Sequence, residues 1–287
     1  MRRITTIGIS IILIVVLSGC GSSDGTSPEE ASDTAPHLLF SSGFEEGVFL
    51  ATPEDGYQYI QGTDTETGFS WPIDILGASG SALHYIDDDN FQAIGSEIQT
   101  VVGHDGSSTK ALYNFEQYDI GVTQCPYEIL DIKEGTKDLY IKYWIKMDSA
   151  SLTQSNMWRA FFEWKTEDYA TGAGFRLIAY IYTDDNGTPY WHWQGDQNPT
   201  NPIWEIDNKD VPVPREEWFL TEFYWHWSEG DDGRALWKVN GQIIGDHHGP
   251  TTRNLKPIDF IMLTQIYGDA NPKYQWIDDI EIWDGIP

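Results

Sequence analysis

The chain has 287 residues, with 45 Asp and Glu against 17 Lys and Arg, a formal net charge of −28 and a pI near 4.3. A surface of that sign excludes nucleic acid and anionic lipid as partners, and is compatible with glycans and divalent cations. Two cysteines are too few for a disulfide-rich scaffold, so a large core has to hold the fold together.

Arg2 and Arg3 precede an apolar run, Ile7–Leu17, that is short for a membrane span, and Leu17-Ser18-Gly19-Cys20 follows at once. This tetrapeptide resembles the lipobox of bacterial lipoproteins; an ordinary secretory signal with a chance cysteine is the alternative. The resemblance implies that residues 1–19 are a signal peptide, that Cys20 is acylated, and that the protein sits in the bacterial cell envelope, on the outer membrane or cell surface. Membrane contact is then through the lipid alone. Residues 20–36 are rich in Ser, Asp, Gly and Pro and read as a flexible tether. One folded domain, 37–287, remains; Cys125 is its sole cysteine, so it has no internal disulfide.

The domain opens with HLLFSSGFEEG at His37–Gly47. Residues 48–110 are turn-rich, with brief strand candidates at Tyr57–Gln61 and Ile98–Val102, and a third follows at Lys110–Tyr118. Asp87-Asp88-Asp89 lack the spacing of a calcium loop and read as solvated. From Leu139 the two-residue period of β-structure becomes clear. Leu139, Ile141, Tyr143, Ile145 and Met147 alternate with Tyr140, Lys142, Trp144 and Lys146. Trp158, Ala160, Phe162 and Trp164 alternate with Arg159, Phe161, Glu163 and Lys165, and Leu177, Ala179 and Ile181 with Arg176, Ile178, Tyr180 and Tyr182. Tyr190, His192 and Gln194 oppose Trp191 and Trp193. Phe219, Thr221, Phe223 and Trp225 alternate with Leu220, Glu222, Tyr224 and His226, an acidic glycine turn follows, and Arg234–Val239 leads through Asn240-Gly241 into Gln242–Ile244. Asn-Gly is the favoured pair of a type I′ hairpin turn, because both positions need positive φ. His247-His248 read as an exposed loop. Ile258–Tyr267 and Tyr274–Trp283 complete the set. No helical period is sustained, so the fold class is all-β, an antiparallel β-sandwich.

The opening LLFSSGFEEG, the strand LYIKYWIKMD, the unit PREEWFLTEFYWHWSEGDDGRALWKVNGQII and the closing YQWIDDIEIWDG occur in the order used by the concanavalin A-like (jelly-roll) β-sandwiches. The chain resembles the heparin-lyase-like and glucuronan-lyase-like members most, and laminin G-like modules next. The Glu-x-Asp-x-x-Glu strand motif of laminarinase-like hydrolases is absent, as are the Arg-x-Glu-Leu-Arg and Gln-Ile-His motifs of alginate lyases on this fold.

The resemblance implies a polysaccharide as partner, bound by a monomer, and either a lyase cleaving an acidic glycan by β-elimination or a non-catalytic carbohydrate-binding lipoprotein. Elimination needs a base, an acid and a group that neutralises the uronate. His226 or His192 is the candidate base, and Tyr224 or Tyr182 the base or acid. If the strands share one sheet, Lys142, Trp144, Arg159, Glu163, Arg176, Tyr180, Glu222, Gln265 and Tyr267 tile a single substrate-binding face; if that face is convex, its charges are simple cross-strand pairs. In many jelly-roll modules a structural calcium ion pins the first strand to the last. Phe44-Glu45-Glu46-Gly47 and Ile277-Asp278-Asp279-Ile280 match those ligand motifs, which makes Glu45 and Asp278 the candidate Ca2+ ligands. A capping hydrogen bond or plain solvation is the alternative for both. No spacing supports zinc.

Overall fold

The alternating segments become long antiparallel strands in the computed structural model, which describes residues 35–54, 57–73, 83–84, 93–118, 129–131, 138–197, 202–254 and 258–287. The lipobox, the tether up to Thr34, Asp87–Asp89 and Cys125 lie outside the described residues. Ala35–Pro287 forms one compact unit. In its eight-stranded sheet the order is Gln242–His248, Arg234–Val239, Trp218–His226, Asp138–Met147, Lys273–Trp283, Ser108–Glu116 and Ile94–Val102, with Leu38–Ser42 also paired to Lys273–Trp283. The seven-stranded sheet runs Pro202–Asn208, Pro189–Asp196, Arg176–Thr183, Trp158–Thr166, Ile258–Met262 and Ile129–Asp131, with Tyr267–Gly268 against the start of Trp158–Thr166. The all-β sandwich expected from the sequence is the observed architecture.

Aromatic side chains join the two sheets. Phe162 and Phe223 stack with ring centroids 3.9 Å apart and planes within 4°, and Trp164 meets Trp225 at 5.1 Å. Trp191, Trp193 and Trp237 extend this layer, all fully buried. Six of the 13 tryptophans are core residues, so much of the aromatic excess serves packing. Each large side chain removed from water contributes about 1.5–3 kcal/mol.

The Asn240-Gly241 turn has φ of 48° and 75°, as a type I′ hairpin requires. Two element boundaries differ from the expectation. The strand after the turn continues to His248, so His247-His248 belong to a strand instead of a loop. Ile258–Tyr267 is divided into Ile258–Met262 and Tyr267–Gly268, which pair with different parts of Trp158–Thr166.

The candidate binding residues do not share one sheet. Lys142, Trp144, Glu222, Tyr224 and His226 stand on the outer face of the eight-stranded sheet. Glu163, Arg176, Tyr180, Tyr182 and His192 stand on the outer face of the other. Arg159 is on neither. Ala160 pairs with Tyr180 and Phe162 with Ala179, so Phe161 is an extra residue in the strand. Such a bulge reverses the facing of everything beyond it. Arg159 therefore points inward and Glu163 outward, although strict alternation gives them one face.

Candidate functional site

On the outer face of the seven-stranded sheet, Trp158, Arg176, Tyr180, Tyr182 and Tyr267 line a cavity of about 270 Å3. The strand Pro189–Asp196 presents His192, Gln194 and Asp196 on this face at two-residue spacing, because its intervening Trp191 and Trp193 are held in the core. His192 Nδ1 lies 2.7 Å from Asp207 Oδ1 on the neighbouring edge strand. Its Nε2 lies 3.1 Å from Gln194 Oε1, and Glu205 Oε1 stands 3.6 Å away. Gln194 in turn donates from Nε2 to Asp196 Oδ2 at 2.6 Å, which fixes its amide so that the oxygen faces the imidazole. The His192 ring packs 4.6 Å from Tyr182 and 5.7 Å from Tyr180.

Arg176 anchors the other end of the row. Its Nε and Nη2 donate to Asp196 at 3.1 and 2.6 Å, while Nη1 stands 3.7 Å from Glu163. Burial alone would ease its proton off, but Glu163, Tyr180 and Asp196 together hold the guanidinium more firmly charged than usual. Tyr169 also donates to Asp196, at 2.7 Å. Lys165 is bound to Glu163 at 2.5 Å. The Tyr182 hydroxyl is pushed up to about 12, first by burial and then by Glu205, Tyr190 and Asp207. Tyr180 is raised mainly by burial too. Both tyrosines thus carry their protons at neutral pH.

Tyr267 lines the same cavity, with its ring 4.9 Å from Trp158. Gln265 is 4 % exposed; its Nε2 meets the Met262 sulfur at 3.3 Å, and among the described residues its Oε1 has no hydrogen-bond partner. Asp196, Asp207, Glu205, Tyr169 and Trp158 escaped the sequence reading. His192-x-Gln194-x-Asp196 was legible as one face of a strand. The Asp207 and Glu205 contacts depend on cross-strand register, which a single segment does not carry.

The remaining candidates are engaged elsewhere. His226 Nδ1 and the Tyr224 hydroxyl both meet Asp138 Oδ1, at 2.9 and 2.6 Å. Glu222 accepts from Tyr140 at 2.5 Å, and Lys142 pairs with Glu281 at 3.0 Å. Trp144 does not offer its ring as expected, because His104 stacks on it at 4.0 Å with planes 3° apart. Arg159, fully buried, binds Asp148 Oδ2 at 3.0 Å, the Tyr274 carbonyl at 2.9 Å and Gln275 Oε1 at 3.0 Å. It fastens the strand Lys273–Trp283 from within and cannot reach a substrate.

The two proposed calcium ligands do come together. Glu45 Oε1 and Asp278 Oδ2 both face the Thr109 hydroxyl, at 2.7 and 3.1 Å, beside a polar cavity of about 210 Å3. One hydroxyl proton satisfies only one of them. Glu45 Oε1 also accepts from the Lys110 backbone N–H at 2.9 Å, the capping hydrogen bond that is the alternative to a metal. Asp278 Oδ1 accepts from the Asp279 N–H at 2.8 Å. Asp279 has φ of 49° at a bulge in the last strand, which turns both aspartates toward this cavity. Asp278 is pushed up to about 8 by burial, with Asp279 and Glu45 adding repulsion. Crowded carboxylate oxygens of this kind fit a hard divalent cation. Among the described residues no three Asp, Glu, His or Cys side chains form a metal-holding group, so hydroxyl or backbone oxygens would have to complete the shell.

No family model matches the chain, and no curated protein sequence matches it. Solved structures do. The alginate lyase of family PL-14 from Aplysia kurodai is 12 % identical over 86 % of this chain and 98 % of its own, with a TM-score of 0.49. The endo-β-1,4-glucuronan lyase from Trichoderma reesei is 11 % identical over 68 % of this chain and 91 % of its own, at 0.46. The binding domain of botulinum neurotoxin serotype D/C matches at 0.48 and 11 % identity, over 87 % of this chain and 49 % of its own. Lyases and a binding domain score alike, and at these identities none decides an activity.

Proposed function

We propose that the protein is a polysaccharide lyase that cleaves a uronate-containing glycan by β-elimination in the cleft of the seven-stranded sheet. The observation that carries this reading is His192, held by Asp207 and Gln194 and packed against Tyr182 and Tyr180 at the side of an aromatic cavity. Asp207 keeps Nδ1 as a donor, which leaves Nε2 as the site that takes up a proton. Nε2 faces the Gln194 amide oxygen, itself an acceptor, so the neutral base makes no hydrogen bond there and its lone pair is left for the substrate proton.

In the reaction His192 Nε2 removes the C5 proton of the uronate, the C4–O4 bond breaks, and a C4–C5 double bond forms. Tyr182, protonated at neutral pH, supplies the proton to the departing O4. Arg176 donates from its loosely engaged Nη1 to the uronate carboxylate, which eases loss of the neighbouring proton. Trp158 and Tyr267 offer ring faces to the apolar sides of the sugars. The matching experiment is incubation with a panel of uronate-containing polymers, read at the absorbance of the unsaturated product. Product from the wild type and none from His192→Ala supports the reading. Binding of the same polymers without product would replace it with a carbohydrate-binding role.

The same proposal includes a structural Ca2+ between Glu45 and Asp278, which would tie the loop after the first strand to the last strand. It also includes a lipid anchor at Cys20 that holds a monomeric enzyme in the bacterial cell envelope, supported by the motif Leu17-Ser18-Gly19-Cys20.

A further inference from the structure

The cleft carries more charge than the elimination needs, and most of it has the wrong sign for a polyanion. Arg176 is matched by Asp196 and approached by Glu163, so its guanidinium offers one loosely engaged nitrogen. Lys165 is spent on the same Glu163 at 2.5 Å. At the rim, Lys209 lies over the Tyr190 ring at 4.5 Å, where Asp184 also feels its charge. Against these stand Glu205 and Asp207 on the edge strand, with side chains 50 % and 51 % exposed, flanking His192. Between the charged points the cavity wall is tyrosine and tryptophan.

We infer that this cleft selects glycans in which an isolated uronate is flanked by uncharged sugars, and that Glu205 disfavours homopolymers of uronic acid. The inference rests on the lyase reading above and names its substrate class. One carboxylate is accommodated at Arg176 Nη1. In a homopolyuronate the adjoining sugars bring further carboxylates toward Glu205 and Asp207, where repulsion is felt through a partly desolvated site. In an alternating polymer the adjoining sugars meet ring faces and hydroxyls instead.

The test compares kcat/KM of the full chain on polyglucuronate and polymannuronate with that on polymers alternating a uronate with a neutral or N-acetylated sugar, at low ionic strength. The alternating polymers are expected to be at least about tenfold better. Glu205→Gln is expected to improve the homopolymers by about fivefold, since one half-exposed charge is worth that much. Raising the salt should speed wild-type cleavage of homopolymers, because screening relieves repulsion. Homopolymers that are cleaved as well as the alternating ones, or that slow down with added salt, would overturn the inference. The salt series needs no variant, so it decides even if Glu205→Gln folds poorly. If no polymer yields unsaturated product, the lyase reading fails first. Affinity of the wild type for the same two polymer classes, measured by gel retardation, then tests the selectivity alone, and equal retardation would overturn it.

Discussion

His192 and Asp207 stand directly opposite one another on adjacent antiparallel strands, with Nδ1 and Oδ1 2.7 Å apart. The contact joins the penultimate strand of the sheet to its edge strand, so the imidazole is oriented by backbone pairing as well as by the carboxylate. An orienting acid behind a histidine is the arrangement that gives an imidazole a fixed tautomer and a defined reactive nitrogen.

Removing that orientation should cost turnover without costing the fold. His192→Ala is expected to lower kcat by about 10²–10⁴, the usual contribution of a positioned base, and Asp207→Asn by a smaller factor. Asp207→Asn should leave the melting temperature nearly unchanged, since Asp207 is half exposed. His192 is 5 % exposed, and its removal should lower the melting temperature by a few degrees while the chain stays folded. Loss of structure by circular dichroism in both variants, with no folded but inactive form, would count against a catalytic role.

The second sheet supplies a control. His226 and Tyr224 share Asp138 on the opposite outer face, so His226→Ala and Tyr224→Phe should keep kcat/KM within about twofold, a surface-scale effect. A hundredfold loss in either would move the active site to that face.

Arg159 should behave as a structural residue. It is fully buried against Asp148, and burial works against its charge while Asp148 sustains it. Arg159→Ala leaves the Asp148 charge with hydrogen bonds from Ser151 and Tyr274 but without its cation, and is expected to destabilise by about 3 kcal/mol. Denaturant unfolding measures this directly; a loss under 1 kcal/mol would show that the pair is dispensable. Trp225→Ala should cost a similar amount by emptying a core site.

Asp278 links calcium to pH. Its folded value, about 8, lies above the ordinary 3.8, and burial is the main cause. The folded protein without metal therefore holds this proton more tightly than the unfolded chain. That contribution to stability is complete below pH about 4 and disappears as the pH rises through 8. With chelator present, the melting temperature should fall between pH 5 and 8.5; calcium should offset the fall, and Glu45→Ala should abolish the offset. Identical melting curves with chelator and with calcium at pH 8 would dismiss the site.

For the anchor, Cys20→Ser should release the protein into the soluble fraction. A wild-type mature N-terminus that carries no lipid by mass spectrometry would remove that proposal.

The pattern around Phe219–His226 and Tyr190–Gln194 was sufficient to establish an all-β sandwich and to say which side chains of each strand face the core. Alternation is local, and the pleat enforces it residue by residue. Asn240-Gly241 specified its turn for the same reason, because the two positive φ angles belong to those two residues. What lies across from a strand is not local. The bulge at Phe161 sent Arg159 into the interior and Glu163 to the surface. Sheet order put His226 and His192 on opposite outer faces, although their segments read alike. Asp207 reached His192 only through the pairing of two strands whose register is set by packing over the whole sheet. Strands follow from short-range periodicity, and so do their inward residues where no bulge intervenes; the composition of a site follows from which strands become neighbours, and only the assembled core decides that.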